Sequence, residues 1–193
     1  LLFDFRGHGG SAGRVTSFGW LEQRDLEGAL AFLGQQADIP VRPYGVYGIS
    51  MGGAVALMTA AQDERVGAVA ADSPYTNLEA TLGRHLTLMY PLPKVPFLWF
   101  VLATYRLRFG VWPKQLSPQD SAAQLAPRAV LLLHGGADPR MPLEDAQAMA
   151  FGISGPNELC VVPGAGHFQG FAYAPQEYLA RLVGFFESHL SSI

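Results

Sequence analysis

Val46-Tyr47-Gly48-Ile49-Ser50-Met51-Gly52-Gly53-Ala54 carries the most specific pattern in the chain. A short β-type run enters Gly-x-Ser-x-Gly and a Gly/Ala-rich helical run leaves it, the order that a strand-to-helix turn demands. Such a turn is tight enough to strain the serine backbone, and a side chain two positions away would collide with the opposite limb. Gly48 and Gly52 are read as removing those collisions. Ser50 Oγ then stands clear at the carboxyl end of the strand, and the Met51 N–H at the start of the helix is aimed at any oxyanion that forms there. The plainer alternative is a Gly-rich loop whose serine only caps a helix. Strand, turn and helix all in the required order favour the nucleophile.

Upstream of it, Leu1-Leu2-Phe3-Asp4-Phe5 reads as a strand already under way, so the chain is expected to begin inside a longer protein. A glycine-dense loop, Arg6 to Gly13, comes next. Leu21, Leu26, Leu30 and Leu33 recur at helical spacing, and Asp38-Ile39-Pro40 closes that segment. Tyr44 to Tyr47 is the strand feeding the turn, and Met51 to Ala61 is apolar nearly all round, as in an internal helix. Val66 to Ala71 is a further buried strand, ending at Asp72-Ser73-Pro74. Ala129 to Leu133 delivers His134-Gly135-Gly136-Ala137-Asp138-Pro139, with Pro142 suited to the first position of the next helix. Glu158 to Val162 delivers Gly164-Ala165-Gly166-His167. Tyr178, Leu182, Phe185, Phe186 and Leu190 mark a closing amphipathic helix. This alternation predicts the α/β class, a mostly parallel sheet with helices on both faces.

The 193 residues can bury one sizeable core, so residues 1–193 are read as a single domain. Hydrophobic content of 49% against 15% charged residues makes it globular. A net charge of −3 without a basic run argues against nucleic acid. Cys160, the single cysteine, lies in an apolar run and reads as a buried structural thiol. No HExxH, CxxC or P-loop pattern implies a metal, nucleotide or other cofactor. Residues 76–118 are irregular, aromatic and interrupted by Pro91, Pro93 and Pro96; they read as a cap over the Ser50 pocket or, more plainly, as a pair of helices covering the sheet, and the two are not exclusive. Its unbroken apolar part, Phe97 to Ala103, is far short of the ~20 residues that cross a bilayer.

A serine hydroxyl needs a base, and the base needs an orienting acid. Both must come from loops at the carboxyl ends of parallel strands, where such loops converge. His167 follows the last strand. His85 lies in the cap region, His189 in the last turn of a surface helix and His134 at a strand end that suggests packing; His8, in a post-strand loop, is not excluded by position. For the acid, Asp138 lies in a strand's exit loop, whereas Asp72 precedes a Ser-Pro turn that it can simply cap. Asp138 is favoured.

The order Ser50, Asp138, His167 resembles that of the α/β-hydrolase superfamily. Asp4, Arg6, Gly7, Gly9 and Ser11, the Asp72-Ser73-Pro74-Tyr75 turn, His134-Gly135-x-x-Asp138 and Gly164-x-Gly166-His167 carry the same likeness. Within it the chain is most similar to small serine hydrolases grouped with serine aminopeptidases, monoacylglycerol lipases and membrane-associated depalmitoylating hydrolases. The resemblance implies a serine hydrolase acting on a carboxylic ester or thioester. Peptidase or acyltransferase chemistry on the same residues and a non-catalytic binding domain are the alternatives. An apolar 89–112 region favours an acyl-chain substrate, with Phe97, Trp99 and Phe100 expected to line or overhang the Ser50 pocket. The resemblance also implies that the first strands and a second oxyanion donor lie upstream of Leu1, leaving a slot between Leu1–Phe5 and Tyr44–Tyr47. A cytoplasmic or membrane-associated setting is implied with it, any membrane association being through an upstream segment.

Overall fold

The computed structural model describes residues 1–39 and 43–190. In chain order the elements are α1 (Glu22–Leu33), β1 (Tyr44–Ile49), α2 (Met51–Ala60), β2 (Val66–Asp72), α3 (Leu78–Met89), α4 (Lys94–Phe109), α5 (Pro118–Ser121), β3 (Ala129–Gly135), α6 (Leu143–Gly152), β4 (Asn157–Val162), α7 (Gly170–Tyr173) and α8 (Pro175–Leu190). The four strands form one wholly parallel sheet in sequence order. Pro142 precedes its helix by one residue, and Pro40 lies outside the described residues.

Side-chain alternation along the central strands separates two layers. Val69, Ala71, Val130 and Leu132 face α1, α2 and α6, where they join Leu30, Leu57 and Met149. Ala68, Ala70, Leu131 and Leu133 face α8 and meet Tyr178 and Phe185. Both faces of β3 are buried along its whole length, which is why it reads as an unbroken hydrophobic run. Each fully buried leucine there contributes about 1.5–3 kcal/mol of transfer free energy. Cys160 lies half-buried against the α8 layer, where burial pushes its thiol up. A third cluster sits above the carboxyl edge: Ala54 and Met58 of α2 pack under Tyr75, Leu78, Tyr105 and Leu116, so α2 is covered from the sheet side and from above.

Leu1–Phe5 departs from its expected strand. Among the described residues it pairs with no strand, and two adjoining cavities of about 590 and 330 Å³ lie between it and β1. A strand exists by its ladder, and among the described residues Leu1–Phe5 takes part in none. Leu1–Phe5 and β1 are thus not paired with each other. The chain beyond Phe5 is well tied down: Arg6 makes a forked ion pair with Asp25 of α1, and Asp4 accepts the Gly10 N–H at 2.8 Å.

Glu22, at the first position of α1, is wholly buried without a cation. It accepts the Ser17 and Gly19 N–H groups at 2.8 and 2.9 Å and the Ser17 hydroxyl. Burial pushes this carboxyl up, but those hydrogen bonds outweigh burial and hold it below the usual range. The knot is also where the helices above the sheet attach, since Tyr105 of α4 donates to the Ser17 carbonyl and Tyr75 to that of Phe18.

Candidate active site

Ser50 sits between β1 and α2 with φ 52° and ψ −115°, a backbone that a non-glycine residue adopts only under constraint. The constraint is visible at Gly48, where a Cβ would overlap the Gly52 carbonyl. Gly53 is tight without overlap, a Cβ there lying 3.0 Å from the Gly48 carbonyl oxygen. Gly52 differs from expectation: a Cβ there meets only the Phe5 ring, at an ordinary 3.6 Å. The turn is tight because Gly48 and Gly53 face each other, and Gly52 needs no missing side chain of its own for that contact. Met51 opens α2, so its N–H belongs to the first turn, which has no partner within the helix.

The ends of the strands are fastened to one another by main-chain bonds. The Ser50 N–H donates to the Asp72 carbonyl at 2.7 Å, the Ser73 N–H to Leu133 at 2.9 Å, and the Gly136 N–H to Val162 at 2.9 Å. Each residue just past one strand thus grips the end of the next. Gly135 lets the last two loops close up, since a Cβ there would overlap the Ala165 and Gly166 carbonyls.

These contacts bring together three of the residues singled out from the sequence. The Ser50 hydroxyl lies 2.9 Å from His167 Nε2, and His167 Nδ1 lies 2.7 Å from Asp138 Oδ2. Because a carboxylate oxygen only accepts, Nδ1 carries the proton and Nε2 presents its lone pair to the serine. The Asp138 side chain is 0% exposed and that of His167 8%. Burial pushes the Asp138 carboxyl up, but the bonds from His167 and from the Met141 and Arg140 N–H groups prevail and hold it below the ordinary carboxylate range. Asp138 is anionic at neutral pH. Among the other histidines, His8 donates to the Arg6 carbonyl and His134, buried, to that of Met141. His85 lies on α3 with Nε2 buried and unpartnered; burial, with Arg140, His167 and Arg84 nearby, keeps it below its usual value.

Asp72 does not touch His167, yet it is part of the site's frame. Its Oδ2 accepts the Tyr178 hydroxyl at 2.6 Å, and Tyr178 in turn accepts that of Tyr47 at 2.7 Å. Its Oδ1 accepts the Ser73 hydroxyl at 2.7 Å, which leaves the Ser73 oxygen free to accept the Phe168 N–H at 3.2 Å. Ser73 and Phe168 both have positive φ, 49° and 46°, so the bond joins two strained residues, one next to Asp72 and one next to His167. Ser73, Tyr178 and Tyr47 are site residues that sequence reasoning missed. The Ser-Pro turn after Asp72 is the only sequence signal near them.

Phe97, Trp99 and Phe100 are not brought to Ser50. The cavity beside β1 that reaches Ser50 is lined by Leu1–Phe5, His8, Leu26 and Val46–Gly52 and by none of the three aromatics, which lie exposed on α4. The physical reason is that α4 turns Leu98, Tyr105 and Phe109 inward against Gly83 and the Tyr75 cluster, so Trp99 and Phe100 face away.

The chain is 26% identical over 190 residues to the uncharacterised protein YqkD of Bacillus subtilis, covering 97% of this chain and 62% of that one. An uncharacterised protein of Mycobacterium tuberculosis is 32% identical over 167 residues, covering 86% of this chain and 52% of that protein. The chain thus spans little more than half the length of these relatives. Among solved structures, the Pyrococcus furiosus esterase Pf2001 superposes with a TM-score of 0.75 at 24% identity, over 97% of this chain and 69% of the other. The α/β hydrolase GrgF from Penicillium gives 0.74 at 19% identity, over 99% and 80%. The sequence profile of the Alpha/beta hydrolase family matches residues 1–182, and with the fold and the strand-end site it leads to one conclusion: this chain belongs to the alpha/beta hydrolase family.

Proposed function

We propose that Ser50, His167 and Asp138 form the nucleophile, base and acid of a serine hydrolase that cleaves a carboxylic ester or thioester of a small molecule. The observation carrying this reading is the unbroken relay from Ser50 Oγ to His167 Nε2 at 2.9 Å and from His167 Nδ1 to Asp138 Oδ2 at 2.7 Å. His167 takes the serine proton as Oγ attacks the acyl carbon, and the Met51 N–H stabilises the resulting oxyanion. The imidazolium, held by anionic Asp138, returns that proton to the departing alcohol or thiol. Water then attacks the acyl-serine by the same steps, releasing the carboxylic acid. The Pyrococcus furiosus protein of the same fold is an esterase, and a carboxylic ester is accordingly the first substrate class to test.

A fluorophosphonate probe tests the reading, because it labels only a serine activated by its base. Labelling is expected on Ser50 and none in Ser50→Ala. Asp138→Asn is expected to slow labelling by about three to four orders of magnitude, since the imidazole then loses the partner that fixes its tautomer. Undiminished labelling of Ser50→Ala would move the nucleophile elsewhere.

A further inference from the structure

A helix over a core normally buries one stripe and wets the other. α4 does not: it is apolar on both sides. Its inward side carries Leu98, Tyr105 and Phe109, packed on Gly83 and the Tyr75 cluster. Its outward side carries Trp99, Ala103 and Leu107, a spacing of four that stacks them into one ridge, with Phe100 alongside. Trp99 is 67% exposed, Phe100 56% and Leu107 89%. Met89 at the end of α3, Tyr90 after it and Val95 near the start of α4 are exposed as well.

The segment that carries this surface has charge of one sign. From Thr81 to Gln119 there is no Asp or Glu, in a chain whose net charge is −3. Of the cations in that span, Arg84 is paired with Asp145, whereas Lys94, Arg106, Arg108 and Lys114 make no ion pair among the described residues. Arg106 and Arg108 flank the ridge. Apolar side chains with aromatic residues among them, bordered by unpaired cations, match the requirements of a helix lying in the plane of an anionic bilayer: the ridge enters the acyl boundary and the cations meet phosphate headgroups. Among the described residues no helix is long and apolar enough to cross a membrane, so the surface would lie on one. A second copy is the less favoured occupant, because an isologous contact about this face would bring like cations together.

The geometry points to the outward face of α4 as a docking surface for anionic lipid bilayers. This inference stands independently of the hydrolase chemistry, and its test reads binding alone. Purified protein carrying Ser50→Ala, which excludes lipid turnover, is floated with vesicles of phosphatidylcholine containing phosphatidylglycerol and with vesicles of pure phosphatidylcholine. Binding is expected to the first and to fall at high salt. The double change Arg106→Glu, Arg108→Glu is expected to weaken it at least about tenfold by removing two basic residues from the surface, and Leu107→Glu to weaken it comparably by placing a carboxylate in the acyl boundary. Both variants alter exposed side chains, and unchanged melting curves verify that they remain folded. No binding by the parent protein, or equal binding by Leu107→Glu, would overturn the assignment. A vesicle-free dimer in sedimentation that Leu107→Glu dissociates would also overturn it and give the face to a second copy.

Discussion

Ser73 is the residue whose importance its own chemistry hides. Its hydroxyl donates to a buried carboxylate, and the carboxylate fixes the direction of the lone pair that receives the Phe168 N–H beside His167. Removing the hydroxyl frees the Phe168 amide and leaves Asp72 one bond short. Ser73→Ala is therefore expected to lower kcat about tenfold with KM little changed, and to lower the unfolding free energy by about 1–3 kcal/mol, as an unsatisfied buried group costs. Steady-state kinetics and urea unfolding measure the two effects separately. Unchanged kcat would reduce Ser73 to a turn residue.

At the scale of elements, the β1–α2 turn discriminates between the two glycines of its motif. Gly48→Ala drives a Cβ into the Gly52 carbonyl and is expected to cost about 3 kcal/mol or more, beyond ordinary overpacking because backbone must yield. Gly52→Ala adds a Cβ at ordinary contact distance near the start of a helix and is expected to be neutral, or to gain up to about 1 kcal/mol. Urea midpoints of the two variants decide it, and equal losses would contradict the geometry. Such distinctions cannot be read from the letters, which show two glycines alike. The strands were legible because continuous apolar runs such as Ala129–Leu133 need burial on both faces. The Ser50, Asp138 and His167 set was legible because each follows a strand end and the strands are parallel. The orientation of α4 was not legible, since a helix apolar all round carries no signal for its inner side. Nor were Tyr178 to Asp72 and Phe168 to Ser73, bonds that join positions 106 and 95 residues apart. Leu1–Phe5 has the composition of a strand but no ladder to join.

For the whole molecule, pH acts through groups whose folded values are displaced downward. His85 is held below its usual value, so the unfolded chain binds the proton first as pH falls; stability declines from about pH 6.5, the unfolded histidine value, down through the folded one. Asp25, Asp63, Glu22 and Asp138 are also lowered, and their contribution, present above about pH 4, is lost as pH drops through their folded values. Urea unfolding is expected to show a first decline between about pH 7 and 5.5 that His85→Gln removes, and a steeper one below about pH 4 that it does not. A flat profile between about pH 7 and 5.5 in the parent protein would contradict the first. The bonds that carry Ser50, Ser73 and Gly136 from strand to strand, by contrast, do not titrate and have no side chain in them. A frame made of peptide groups is blind to the letters strung along it. Substitution can rewrite what each strand end presents while the spacing between the ends is kept, which is how a chain sharing only 24% of its residues with Pf2001 can still superpose on it at a TM-score of 0.75.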